Sequence, residues 1–285
     1  MKVAVAQINP LLNELQANIS LHKELIKSAI DSSADLIIFP ELSLTGYLLK
    51  DLVQSIAINP LCSNHIEQLR ELSHNIAIVF GFVERSKEGL FYNSAAHLAQ
   101  GDIRYIHRKV YLPTYGMFDE GRYFAAGGSL RSYSANGGRF GILICEDFWH
   151  ISASYIMALD GAQFLLVPTS SPFRSLSGGD KLDNRRIIEQ LNRTIAQTFC
   201  LYVLLANRVG CEDGITFWGG SEVIDPFGSI IAKAKYFEPE LLFAEISSDE
   251  VIRARSIMPL LRDERLNLVL SELRCIQGKR GEFQI

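Results

Sequence analysis

The chain has 285 residues and a formal net charge of −4, and 48% of its residues are hydrophobic. Such a chain can bury a substantial core, and its slight acidic balance excludes the basic surface expected of a protein that binds nucleic acid or anionic membranes. Five scattered cysteines without a CxxC pair favour a reduced, cytoplasmic setting. No apolar run approaches the ~20 residues of a transmembrane helix, so we expect a soluble protein.

The hydrophobic pattern predicts strands and helices in alternation along the chain. Apolar residues at helical spacing indicate helices at 14–33, 61–73, 151–161, 184–198 and 250–276. Continuous or alternating apolar runs indicate strands at 1–8, 35–40, 76–84, 91–98, 103–107, 141–144, 163–168, 200–206, 217–223, 230–234 and 241–246. This alternation is typical of the α/β class, and we expect a single domain over residues 1–285 because no linker or shift in composition divides the chain.

Three of the strand-like runs are followed by an ionisable residue. Glu41 follows DLIIFP, Lys109 comes shortly after IRYIH, and Cys145 follows GILI. Parallel α/β sheets open into their ligand crevice at the carboxyl ends of the strands, so we expect these side chains to meet there. Taken singly, Glu41 could be a carboxylate near a helix N-terminus, Lys109 a surface lysine and Cys145 a buried structural cysteine.

Together these residues supply a base, a cation and a nucleophile. A thiol with a free pKa of ~8.5 is a weak nucleophile at neutral pH unless a base or a cation lies nearby. Glu41 would take the proton of Cys145, while Lys109 and the backbone N–H after Cys145 would stabilise a tetrahedral oxyanion. The sequence therefore predicts attack on a carbonyl, a thioester intermediate, loss of an amine or ammonia, and hydrolysis by water, with no cofactor and no metal.

The contexts of these residues resemble the nitrilase (carbon–nitrogen hydrolase) superfamily. They read PELSLTGY, RKVYLPTYGMFDE and GILICEDFW, in that order. The resemblance extends over nearly the whole chain, from MKVAVAQINP at the start to ANRVG and GGSEVIDPFG late in the sequence. It implies a four-layer α-β-β-α sandwich, a small amide as substrate, and a homodimer or higher homo-oligomer with the helical segment around 250–276 as a candidate contact.

The loop KVYLPTYGMFDEGRYF is more specific, and it resembles the glutaminase domain of glutamine-dependent NAD synthetase. The segments ICEDFW and MPLLRDERLNL are similar to the same family. This resemblance implies that Tyr115, Glu120 and Ser171 hold glutamine and that Trp149 lines the pocket. Glu120 would lie close to Lys109 and orient it, or polarise the substrate; its alternative is an exposed acid in a loop.

The sequence departs from that family in one respect, since no ATP-pyrophosphatase domain is recognised before it ends at Ile285. The segment SGGDK at 177–181 lacks the final Ser and the preceding strand of a phosphate-binding SGGxDS loop, so we interpret it as a flexible loop. Either the chain is a glutaminase subunit that feeds ammonia to a separate synthetase, or it is a stand-alone amidase, N-carbamoyl hydrolase or nitrilase. Arg174, Lys181 and Arg185 could bind the α-carboxylate of glutamine, or they form a solvated polar segment.

Three other classes compete with this interpretation. The six histidines show no HxH or HExxH spacing that would indicate a metal hydrolase, and no GxSxG elbow indicates a serine hydrolase. A binding protein is the third class, because some superfamily members have lost the triad. This chain retains Glu41, Lys109 and Cys145, which favours catalysis.

Overall fold

The strands and helices follow the predicted alternation in a computed structural model that describes residues 1–135, 137–173 and 184–282. The strands are β1 (Lys2–Gln7), β2 (Leu36–Ile38), β3 (Ala77–Arg85), β4 (Phe91–Ala99), β5 (Asp102–Arg108), β6 (Tyr133–Ala135), β7 (Gly138–Ile142), β8 (Phe164–Thr169), β9 (Tyr202–Asn207), β10 (Val209–Glu212), β11 (Ile215–Trp218), β12 (Glu222–Ile224), β13 (Ile230–Lys233) and β14 (Glu240–Glu245). The helices are α1 (Leu15–Asp31), α2 (Val53–Ile56), α3 (Asn64–Leu72), α4 (Glu120–Tyr123), α5 (Glu146–Trp149), α6 (Ile151–Leu159), α7 (Asn184–Phe199), α8 (Ser248–Ile257), α9 (Leu260–Asp263) and α10 (Leu266–Glu282), with a 3-10 turn at Lys50–Leu52.

Within the described residues the strands form two six-stranded sheets and a separate hairpin of β10 and β11. The first sheet has the order β14-β1-β2-β3-β4-β5, and the second has the order β13-β12-β9-β8-β7-β6. In the first sheet β1, β2 and β3 run parallel, as do β7, β8 and β9 in the second. The remaining strands join antiparallel at the edges. Because the central parallel strands are covered on both faces, their sequences are mostly apolar.

The two sheets pack face to face, and helices cover both outer faces. Val5 of the first sheet and Phe140 of the second belong to the apolar cluster between the sheets. Ile19 of α1 and Leu69 of α3 pack on the outer face of the first sheet, and Ile195 of α7 packs on the outer face of the second. The layer order is therefore α-β-β-α, which confirms the expected fold class. None of the helices in the described ranges combines the length and apolar character needed to traverse a bilayer.

Two elements differ from the sequence prediction. The single strand expected at 217–223 is wrong, because Gly219 and Gly220 adopt φ values of 70° and 60° and break the chain there. β11 pairs with β10 across a turn at Asp213 and Gly214, which the pattern did not predict, whereas β12 joins the second sheet beside β9. The helix expected at 250–276 is divided into α8, α9 and α10, and Pro259 follows the end of α8, as expected of a residue that does not continue a helix.

Candidate active site

Cys145 occupies a strained turn between β7 and α5. Its backbone N–H donates to the carbonyl of Pro168 at 3.0 Å, which continues the pairing of β7 with β8 beyond the last strand residue. The backbone of Cys145 has φ 45° and ψ −95°, a conformation that residues with a Cβ atom rarely adopt. Such strain costs about 1–3 kcal/mol and clusters at functional sites. The surrounding hydrogen bonds must therefore hold this turn in place.

Glu41 lies buried in the turn that follows β2. The chain reaches this position by crossing closely over Gly81 of β3, where an added Cβ atom would collide with the backbone of residues 40–42. One carboxylate oxygen, Oε1, accepts a hydrogen bond from Asn93 Nδ2 at 2.8 Å. The other, Oε2, accepts from the backbone N–H of Ser170 at 2.9 Å, and the Ser170 hydroxyl donates to the Glu41 carbonyl. Both oxygens of Glu41 are thus fixed by donors from different strands.

Lys109 is buried between two carboxylates and is not a surface lysine. Its residue exposure is 1%, and its Nζ atom lies 2.7 Å from Glu41 Oε1 and 2.7 Å from Glu120 Oε1. Burial alone would lower the pKa of Lys109, but the negative charges of Glu120 and Glu41 outweigh it and hold the pKa well above its usual value. The side chain is therefore a permanent ammonium ion in the site.

Glu120 begins helix α4 and is buried, so it is not an exposed loop acid. Its Oε1 atom accepts hydrogen bonds from Lys109 and from the Tyr47 hydroxyl at 2.6 Å, whereas Oε2 has no hydrogen-bond partner within the described ranges. Burial raises the pKa of Glu120 to about 7, with the charge of Lys109 opposing and that of Glu41 adding to the effect. The carboxyl group therefore changes its charge near neutral pH. A cavity of ≈ 210 Å³ adjoins it, lined also by Tyr47 and Phe118.

The thiol of Cys145 faces the same group of charges. Burial raises the pKa of Cys145 well above its usual value, and the charge of Glu41 raises it further, while Lys109 and the backbone N–H of Ser170 act in the opposite direction. Cys145 is therefore a thiol at rest and not a preformed thiolate. Attack by its sulfur atom would require a base within reach of the thiol proton.

Tyr115 lies at the open side of the site beside Glu146. The Tyr115 side chain is about half exposed, and its hydroxyl contacts the two carboxylate oxygens of Glu146 at 3.2 and 3.1 Å. Burial raises the pKa of Glu146, and the hydrogen bond from Tyr115 opposes this. A tyrosine and an acid thus meet immediately beside Cys145, where the sequence predicted only the tyrosine.

Ser171 is buried after β8, with its hydroxyl oxygen held by two donors. Trp218 Nε1 and Asn184 Nδ2 each lie 3.1 Å from Ser171 Oγ. Because both groups only donate, they leave the hydroxyl hydrogen of Ser171 without an acceptor among the described residues. Trp149 packs against the apolar cluster under α6 and α7, and its predicted role in the pocket stays a prediction.

Of the three cationic residues proposed for the substrate carboxylate, Arg185 alone lies in the described part of the chain. Arg174, Lys181 and the segment 177–181 lie outside the described residues. Arg185, at the start of α7, places its guanidinium 4.6 Å from the ring centroid of Tyr236. This cation–π contact gives Arg185 a packing role beside whatever further contacts it makes.

Several residues that complete the site were not assigned a role from the sequence. Tyr47 and Asp147 stand inside the motifs that identified Glu41 and Cys145, so their positions were visible but their contacts were not. Asn93 and Ser170 lie in segments with no distinctive pattern. Within the described ranges, no group of three or more His, Cys, Asp or Glu side chains is arranged to hold a metal ion.

Comparison with known proteins identifies the family of this site. The family model for carbon–nitrogen hydrolases matches residues 2–256. The glutamine-dependent NAD(+) synthetase of Acinetobacter baylyi is 32% identical over 249 residues, which are 87% of this chain and 44% of that protein. The chain therefore spans a little under half the length of this curated relative.

Solved structures share the fold. The glutamine-dependent NAD+ synthetase of Acinetobacter baumannii, in complex with ADP, matches with a TM-score of 0.77 and 33% identity over 88% of this chain and 46% of that one. A carbon–nitrogen hydrolase from Helicobacter pylori G27 matches with a TM-score of 0.81 and 26% identity over 96% and 98% of the two chains. The sequence, the fold and the family model agree: this chain belongs to the carbon–nitrogen hydrolase family of enzymes.

Proposed function

We propose that this enzyme is a thiol-dependent amidase that releases ammonia, with glutamine as its favoured substrate. The observation that carries the proposal is the buried Lys109 ammonium, which lies between Glu41 and Glu120 beside the Cys145 thiol. Glu41 and Glu120 offset the cost of burying this cation, and an ammonium held in this way can stabilise the negative charge of an oxyanion. We assign Cys145 as nucleophile, Glu41 as general base and Lys109 as oxyanion stabiliser, working as one domain.

In the first half-reaction Cys145 Sγ attacks the carboxamide carbon while Glu41 accepts the thiol proton. The carbonyl oxygen becomes an oxyanion, which receives a hydrogen bond from Lys109. An ammonium group has three donors, and the contacts with Glu41 and Glu120 leave one for this purpose. The backbone N–H of Glu146 supplies a second donor, because it is the first residue of α5 and has no intrahelical acceptor. When the C–N bond breaks, Glu41 returns the proton to the leaving nitrogen.

The second half-reaction hydrolyses the acyl thioester. Glu41 takes a proton from water, whose oxygen attacks the thioester carbon, and Lys109 again stabilises the oxyanion. The C–S bond then breaks, Cys145 recovers its proton from Glu41, and the carboxylic acid leaves. A single carboxylate can serve both steps because Asn93 and Ser170 hold it in place throughout.

The groups around the nucleophile suit a substrate with an amino acid end. Glu146 offers a negative partner for an α-ammonium group, and the Tyr115 hydroxyl fixes its orientation. The available hydrogen of the Ser171 hydroxyl suits a substrate acceptor. Glutamine carries an α-ammonium and an α-carboxylate a fixed number of bonds from its carboxamide, whereas a simple aliphatic amide would leave Glu146 without a cationic partner. This contrast favours glutamine over the stand-alone amidase, N-carbamoyl hydrolase and nitrilase alternatives.

The relatives named as NAD synthetases support the proposal that a partner protein takes up the released ammonia. Their function combines glutamine use with NAD synthesis in a longer chain. We propose that this cytoplasmic enzyme passes ammonia to a separate synthetase and assembles as a homodimer or larger homo-oligomer. Helix α10 is a candidate contact because it exposes large apolar side chains. They are Leu266, Leu268, Leu270, Leu273 and Ile276.

Ammonia release from a panel of amides tests the function. The panel contains L-glutamine, L-asparagine, an ω-amide of a keto acid, a simple aliphatic amide and an N-carbamoyl amino acid. We expect rapid release from glutamine, no release in the Cys145→Ser variant, and wild-type rates in Cys62→Ser, which changes an exposed cysteine. Release from another amide with glutamine untouched would reject glutamine but keep the nucleophile. Wild-type rates in Cys145→Ser would reject the mechanism.

A further inference from the structure

The carboxylate of Asp147 connects the chain segment of Lys109 to that of Cys145. Asp147 is fully buried in α5, two residues after the nucleophile. Its Oδ1 atom accepts hydrogen bonds from the backbone N–H groups of Val110 and Tyr111, each at 2.9 Å. These are the residues that directly follow Lys109. The carboxylate therefore fixes the backbone from which the buried ammonium extends.

The second oxygen of Asp147 closes the turn around Cys145. Oδ2 accepts a hydrogen bond from the backbone N–H of Ile144 at 3.1 Å, and the backbone N–H of Asp147 donates to the Ile144 carbonyl at 3.0 Å. These reciprocal bonds enclose Cys145 and stabilise its strained φ of 45°. His107 Nε2 also lies 2.8 Å from Oδ2, so the imidazole donates to the carboxylate.

These contacts bridge the two sheets. Lys109 follows β5 in the first sheet, while Cys145 follows β7 in the second, and no covalent geometry between neighbouring residues fixes their separation. The Asp147 side chain accepts hydrogen bonds from the backbone next to Lys109 and from the backbone next to Cys145. A charge-assisted hydrogen bond to a buried carboxylate is about twice as strong as a neutral one. Asp147 is thus placed to set the position of the cation relative to the nucleophile.

We propose that Asp147 is a positioning residue that holds the Lys109 ammonium in register with the Cys145 thiol for the reaction. The inference rests on the proposed function for the roles of Lys109 and Cys145. It goes beyond that function by assigning the precision of the site to a carboxylate that touches neither the substrate nor the reacting atoms. The consequence is that loss of Asp147 weakens catalysis without changing the chemical groups that perform it.

The Asp147→Asn variant tests the proposal because it keeps the size of the side chain and replaces one acceptor oxygen by an NH₂ group. The new amide oxygen can still accept from Val110 and Tyr111, but its NH₂ group would face the N–H of Ile144 and the ring of His107. A displacement of ~1 Å in an active site can reduce a rate about 100-fold, so we expect kcat to fall by about that factor with KM nearly unchanged.

The pH dependence of Cys145 alkylation by iodoacetamide gives a readout that does not depend on a substrate. Lys109 lowers the pKa of the Cys145 thiol, so a displaced ammonium moves the midpoint of the alkylation profile upward. Simple loss of the negative charge of Asp147 would move the midpoint downward. The direction of the shift therefore distinguishes displacement of Lys109 from removal of a charge.

Glu222→Gln is the matched control. Glu222 is a fully buried carboxylate in β12 of the second sheet and accepts a hydrogen bond from Asn192 at 2.6 Å. We expect this variant to lose thermal stability while keeping the wild-type midpoint and kcat. If Asp147→Asn also loses stability but keeps the wild-type midpoint, Asp147 is a structural residue only and the proposal is overturned.

A second variant covers the case in which Asp147→Asn fails to fold. His107→Gln leaves the backbone contacts of Asp147 intact and alters only the ring donor, so we expect a smaller upward shift of the same midpoint; an unchanged midpoint would overturn the proposal. Failure of the proposed function has a different signature. Wild-type protein would then release no ammonia from any amide, while the alkylation profiles would still report on the position of Lys109.

Discussion

Replacement of Lys109 by methionine removes the charge that holds two buried carboxylates together. The Nζ atom lies 2.7 Å from each of Glu41 and Glu120, and side-chain exposure is at most 6% for all three groups. Removal of one partner from a buried ion pair costs about 3–5 kcal/mol, because the remaining charge loses its compensation. That cost is a large share of the 5–15 kcal/mol that typically stabilises a protein, so Lys109→Met should fold but unfold at clearly lower urea concentration.

Urea unfolding at pH 8 and pH 6 measures this effect. The pKa of Glu120 is already about 7 in the presence of Lys109, so in the variant this carboxyl group accepts a proton readily as the pH falls. We therefore expect the destabilisation by Lys109→Met to be smaller at pH 6 than at pH 8. Adding Glu120→Gln to the variant should recover about 1–3 kcal/mol at pH 8, because the two residues are directly coupled.

Lys50→Met provides the comparison for this experiment. Lys50 forms an ion pair of 2.6 Å with Asp213, but both side chains are more than half exposed, so we expect no measurable loss of stability. Equal urea midpoints for Lys109→Met and Lys50→Met would refute the description of Lys109 as a buried, paired cation. A destabilisation by Lys109→Met that grows as the pH falls would refute the role of Glu120.

Three further changes probe the site and the core. In wild type, kcat/KM should rise with pH through about 7 as Glu120 ionises and strengthens its hold on Lys109, and Glu120→Gln should lose this limb. Glu41→Gln should reduce ammonia release by at least ~100-fold because the base is lost. Burial lowers the pKa of His22 from 6.5 to about 4. As the pH falls from 6.5 to 4, the unfolded state binds a proton at this residue and the folded state does not, so the free energy of unfolding falls by about 3 kcal/mol. His22→Gln should flatten this part of the stability profile.

Each of these expectations has a contrary outcome. A rising limb near pH 7 that persists in Glu120→Gln would assign that ionisation to another group. Wild-type turnover by Glu41→Gln would remove the base from the mechanism. For the histidine, unfolding free energies at pH 7.5 and pH 5 that differ equally in wild type and His22→Gln would show that His22 does not control the acid limb.

The residues at the centre of the candidate site could be proposed from the sequence because short-range patterns mark them. Glu41, Lys109 and Cys145 each follow a strand-like apolar run, and the motif FDE pointed to Glu120 beside Lys109. Their buried contact follows from the meeting of strand ends in the sandwich. The strand at 217–223 was predicted wrongly because its residues favour a β conformation on both sides of the two glycines, and only the φ values reveal the break.

The supporting contacts could not be predicted because they join residues far apart in the chain. Asn93 reaches Glu41 across 52 positions, and Ser170 reaches it across 129. Nothing in the local sequence of β4 or β8 distinguishes these residues from any other polar residue near a strand end. Their role depends on the packing of complete sheets, which a pattern of hydrophobic residues does not encode.

The separation of the site between two sheets has a consequence for folding. Glu41 and Lys109 belong to the first sheet and Cys145 to the second, so the three side chains meet only after both sheets have formed and docked. Contacts between residues so distant in sequence carry a loop-closure cost that slows folding. Catalytic competence is therefore a property of the docked sandwich, which neither sheet has alone.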